Sequence, residues 1–152
     1  MTERDMQGAQ TSYLVSCVSR KRTSSARAKD LYLSEWFLRA RAYVERTALP
    51  WYILSSKYGL ISPDQMIDPY EQTLNRMSVG ERRAWANHVG EQIRDLLPEA
   101  KHVVMFAGMR YREFLLDYLR ERGVKVEVPL EGLRIGEQLS WLGEQHAHGP
   151  SR

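Results

Sequence analysis

Apolar positions in this chain come in two spacings: short unbroken runs, and stripes recurring every three or four residues. Tyr13-Leu14-Val15-Ser16-Cys17-Val18, Trp51 to Ser55 and His102 to Ala107 are runs of the kind that strands buried on both faces carry. Between them, Leu33, Phe37, Ala40 and Val44 predict one face of a helix over about 29–47. Trp85, Val89, Ile93 and Leu96 predict a second helix over about 79–97, stopped at Pro98. Phe114, Leu115, Tyr118 and Leu119 predict a third over about 111–122, with Gly123 as its C-terminal cap. Val124 to Val128 alternates like a half-exposed strand, and Gly136 to Leu142 predicts a last short helix resting on Leu139 and Leu142.

The interval from about 56 to 78 fits neither period. It holds Gly59, Pro63 and Pro69, and an irregular segment of that length in a small domain usually marks function or disorder. Its Tyr58, Leu60, Ile61, Met66, Ile67 and Tyr70 argue for order. Strand and helix alternating in this way predict a single-domain α/β layered fold, with a mainly parallel central sheet of about four strands flanked by helices. The polar ends, 1–12 and 143–152, are expected to be flexible, leaving 13–142 as the domain.

Composition narrows the class without naming a function. With 152 residues, an apolar fraction of 43% and a charged fraction of 27%, the chain suits one globular domain that needs no disulfide or metal to hold it. The first dozen residues lack the apolar core of a signal peptide, and no apolar run approaches a membrane span. Cys17 is the only cysteine, which excludes an internal disulfide and fits a reducing compartment, so a cytoplasmic location is expected. His88, His102, His146 and His148 show no metal-ligand spacing, and neither a metal nor another cofactor is expected. Nothing in the pattern specifies an oligomeric state.

The net charge of +3 is mild, but Arg20, Lys21, Arg22, Arg27 and Lys29 fall close together with no acid before Asp30. If the first three strands are parallel, their carboxyl ends bring three segments to one edge: Ser16 to Lys21, Ser55 to Gly59, and Ala107 to Tyr111. That edge is where open α/β sheets bind ligands. Each segment joins small residues, which let backbone N–H groups approach a ligand, to a cation that balances a negative one. Ser16, Ser19, Arg20, Lys21, Ser55, Ser56, Gly59, Tyr70, Gly108, Arg110 and Tyr111 are therefore the candidate binding residues. None of the segments carries a Walker or dinucleotide fingerprint, so the pattern points to a place and a charge, not to one ligand.

Four residues are candidates for chemistry, each with a plainer structural alternative. Cys17 beside cations is a potential nucleophile or a small buried strand residue. Lys57 is an amine nucleophile, an anion holder or a solvated turn lysine. Tyr58, like Tyr70, can stack on a base or anchor the long loop. Asp68, before Pro69, is a general base or a turn former.

The string L-S-x-x-Y-G-x-x-x-P over Leu54–Pro63, the Pro69-Tyr70 pair, the helix with Trp85 and the strand Val103–Ala107 followed by Tyr111 together resemble the YaaA peroxide-stress proteins over roughly residues 51–118. That resemblance implies DNA binding in a basic cleft and a stress-response role tied to nucleic acid. Cys17-Val-Ser-Arg-Lys21 is also similar to the Cys-x3-Lys start of the lysine-transferring domain of archaeosine synthase, although Arg22-Thr23 stands where that motif has Pro-Tyr. Both likenesses point to nucleobases or nucleic acid as partner. The expected function is an enzyme acting on a nucleobase, nucleotide or modified nucleic acid, most plausibly at an N-glycosidic bond, a hydrolase or transferase. The alternative is a non-catalytic DNA- or RNA-binding protein.

Overall fold

The structure, a computed structural model, describes residues 11–16 and 21–148. Its centre is a five-stranded sheet. Strand β1 (Thr11–Ser16) lies in the middle and pairs in parallel with β3 (Trp51–Ser55) on one side and β6 (His102–Phe106) on the other. Beyond β6 comes β7 (Lys125–Glu127), also parallel, and beyond β3 comes β4 (Gly59–Ile61), antiparallel, giving the order β4-β3-β1-β6-β7. The mainly parallel α/β sheet expected from the runs is therefore present, with β4 as a strand the aperiodic interval concealed.

Two layers of helix cover the sheet because its inner strands are apolar on both faces. One face carries α2 (Glu35–Arg46) and α5 (Ile135–His148) over Val15, Ile53, Val104 and Phe106. The other carries α3 (Val79–Leu96) and α4 (Met109–Glu121) over Leu14, Leu54, Val103 and Met105. Helix α3 begins at a full capping box, in which Ser78 accepts from the Glu81 N–H and Glu81 accepts from the Ser78 N–H. Gly123, at φ +83°, ends α4 as the spacing predicts.

Several boundaries differ from the pattern. The first helix is two: α1 (Ala28–Leu31), then α2, separated by Tyr32, Leu33 and Ser34. Tyr32 is extended and bridges to Lys21, and the Ser34 hydroxyl accepts from the Phe37 N–H at 3.2 Å, so α2 starts afresh and Leu33 lies off its apolar face. Leu96 is 63% exposed; the half-buried Leu97, where the chain leaves α3, packs on the core in its place. The last helix extends past Leu142 to His148, and α4 starts two residues before Tyr111. At the other end, Thr11 and Ser12 belong to β1, inside the segment expected to be flexible.

The interval 56–78 is built rather than irregular. After β4 it forms β5 (Met66–Ile67), which pairs antiparallel with β2 (Ala26–Arg27), and then a 3₁₀ turn at Leu74–Arg76. Backbone bonds from Ala28 to Gln65 and from Lys29 to Pro63 complete the tie. The basic segment after β1 and the long loop after β3 thus fold as one ribbon above the sheet edge. No described helix is long and apolar enough to cross a membrane.

Candidate functional site

Register fixes what meets at the carboxyl edge. Ser16 pairs with Leu54 and Val15 with Phe106, so β1, β3 and β6 end side by side and release their loops on one edge. Ser16 and Ser55, 3% and 0% exposed, close the first two strands.

Ser55 organises the turn that follows. Its hydroxyl accepts from the Lys57 and Tyr58 N–H groups at 3.2 and 3.0 Å and donates to the Tyr70 hydroxyl at 2.8 Å. The Tyr70 oxygen lies 2.7 Å from that of Tyr32, giving a buried chain of three hydroxyls. Ser55 also gives its carbonyl to the Trp85 indole at 2.9 Å, and Trp85 meets Tyr111 edge to face. Through Trp85 the third strand's loop is joined to the second's. Gly59, at φ +75°, turns the chain back into β4, where Gln92 accepts from the Leu60 N–H at 2.8 Å.

Above this base sit the cations. The Lys21 ammonium lies 4.5 Å from the Tyr70 ring centroid and 5.8 Å from that of Tyr32. The Lys57 ammonium lies 5.3 Å from the Tyr58 ring, which packs edge to face on Tyr70. The Tyr58 hydroxyl is 3.5 Å from the Asp68 carbonyl, and the Asp68 carboxylate accepts from the Ser25 hydroxyl. Lys21, Lys57, Tyr58, Tyr70, Ser55 and Asp68 therefore form one continuous chain of contacts. Lys57 and Asp68 are exposed, and Tyr58 is half-buried.

Other candidates play different parts. The Ser56 hydroxyl is turned into the loop, donating to the Gln72 carbonyl at 2.5 Å while the Gln72 amide donates back at 2.9 Å. Tyr70 is 9% exposed and its ring faces Lys21, whereas Tyr58 is half-buried, with Lys57 over its ring and Tyr70 at its edge. Gly108 and Arg110 stand exposed at the start of α4, on the same edge but outside this chain of contacts. Cys17, Ser19 and Arg20 lie outside the described residues.

The basic segment is partly neutralised. Lys29 and Arg27 lie 2.8 and 3.7 Å from the Asp64 carboxylate, whose pKa the Lys29 hydrogen bond and charge hold below the ordinary value. Arg22 donates to the Asp30 carbonyl at 2.7 Å. Among the described residues no three His, Cys, Asp or Glu side chains group as a metal site would need.

Tyr32, Ser25, Gln72 and Trp85 were not among the site residues the pattern selects. Tyr32 was hidden inside an assumed helix, and Ser25 reaches Asp68 across 43 positions that no local spacing encodes.

The sheet order and this polar edge define an α/β protein with its candidate site where parallel strands end. A family model described as a family of unknown function, DUF6884, matches residues 13–144, and the chain belongs to that family. No curated protein and no solved structure matches it.

Proposed function

We propose that the protein acts on a nucleobase, nucleotide or nucleic acid at this edge, as an enzyme of the N-glycosidic bond. The observation that carries the reading is the contact chain uniting two lysines, a half-buried tyrosine ring and a carboxylate. Lys21 and Lys57 offer positive charge to a phosphate, and Tyr58 offers its face to a base. Asp68, oriented by the Ser25 hydroxyl, takes a proton from the attacking water and stabilises positive charge as it grows on the sugar. Water oxygen bonds to the anomeric carbon as Asp68 takes its proton, the bond to the base nitrogen breaks with its electron pair going to the base, and the base takes up a proton from solvent.

A purely electrostatic binder has less support. It would use the whole basic segment, yet Arg27 and Lys29 already share Asp64. Titrating nucleotides and labelled single- and double-stranded DNA and RNA at low salt tests the ligand class. Micromolar binding that weakens steeply with salt, and weakens again in Lys57→Glu, is expected. No binding of any of these ligands contradicts the proposal.

A further inference from the structure

On the β7 side of the same sheet edge, the start of α4 opens on a cavity of about 130 Å³ walled by Trp36, Gly108, Arg112, Leu130, Glu131 and Gln138, among others. Helix α4 is 13 residues long, yet Gly108 gives it no side-chain cap and its first turn holds no acid. Its positive end thus has no compensating cap or acid within the helix's own first turn. A side-chain carbon added at Gly108 would meet nothing within 4 Å.

Arg112 supplies a second, independent sign. It is 8% exposed, and its Nε is buried with no hydrogen-bond partner. Its Nη1 lies 3.4 Å from the carboxylate of Glu131, a side chain 63% exposed. Two other polar side chains of the wall are satisfied: the Trp36 indole donates to Gln138 at 2.9 Å, and the Gln138 amide donates to the Leu133 carbonyl at 2.9 Å. What remains is the buried, unpartnered Nε of an arginine that lines the cavity beside a helix start, and an arginine beside a helix start is the combination that oxyanions favour.

We infer that this cavity is an oxyanion site whose ligand is a phosphate group, held by Arg112 and the first turn of α4. Its volume falls below the roughly 300–1,000 Å³ of pockets that enclose drug-sized ligands, so anything attached to the phosphate stays outside. The site does not use Lys21, Lys57 or Asp68, and it stands or falls apart from the glycosidic reading.

Calorimetric titration of the Lys57→Gln protein, in which the phosphate contact proposed above is weakened, with inorganic phosphate against sodium chloride at equal ionic strength, tests it. Saturable binding specific to phosphate is expected. Gly108→Asp caps α4 with its own carboxylate, so it should keep or raise the melting temperature while weakening phosphate binding at least tenfold. Glu131→Gln removes the competing carboxylate and should tighten binding several-fold. A parallel titration with AMP, compared between the Lys57→Gln protein and the same protein carrying Gly108→Asp, identifies the source: affinity equal to phosphate marks a free ion, and tighter binding that Gly108→Asp weakens marks the end of a larger ligand. No phosphate-specific binding in the Lys57→Gln protein, or binding undiminished by Gly108→Asp, overturns the inference.

Discussion

At the scale of single residues, Gly59 joins sequence to site most directly. Its φ of +75° is one that L side chains rarely adopt, and an added Cβ would overlap the Gln92 amide that holds Leu60. Gly59→Ala should cost about 1–3 kcal/mol and loosen the turn carrying Lys57 and Tyr58, a loss that urea unfolding reads directly. Tyr13 makes a second residue-scale prediction. Burial first, then the charges of Tyr43 and Glu127, push its pKa up to about 12 from an ordinary 10.0. A raised pKa means the folded state holds its proton longer than the unfolded state. The contribution is therefore fully present below pH 10 and lost as pH climbs toward 12. Discounted for a half-exposed ring, it amounts to on the order of 1 kcal/mol. Urea unfolding at neutral and strongly alkaline pH should show the wild type losing that much more stability than Tyr13→Phe.

At the scale of elements, α3 and α4 approach through Gly90, where a Cβ would run into the Tyr118 ring, and are clamped by Arg82 and Glu113 at 2.7 Å. Gly90→Ala should destabilise by about 1–3 kcal/mol through overpacking despite the better helix propensity of alanine, measurable as a lowered denaturation midpoint. Elements with a strong period were legible. The buried runs at Leu14, Ile53 and Val104 appear as neighbouring parallel strands, and Trp85, Val89 and Ile93 all face the core. What escaped the pattern depends on long-range pairing. Strands β2 and β5 are two residues each, too short to show alternation, and exist because each gives the other its hydrogen bonds. Likewise the break at Tyr32 follows from its bridge to Lys21 and its hydroxyl contact with Tyr70, neither of which a helical stripe reveals. The candidate edge itself was legible, because parallel strands must release their loops together. Which side chains would touch there was not.

At the scale of the whole molecule, a parallel sheet gathers the ends of three strands, and the β2–β5 ribbon folds two of the three loops into one surface above them. The glycosidic reading needs that surface to hold a ligand through its cations and to change it through Asp68, which separates affinity from turnover. A binder needs no carboxylate, and neutralising one on a phosphate-facing surface should leave affinity equal or higher. The most direct test is release of free base from nucleosides, nucleotides and nucleic acids by the wild type and Asp68→Asn, with affinity measured alongside. Base release by the wild type, and undiminished affinity with turnover reduced by a factor on the order of 10² to 10⁴ in Asp68→Asn, is the predicted result. No base release from any of these substrates, or equal turnover in the two proteins, would contradict it.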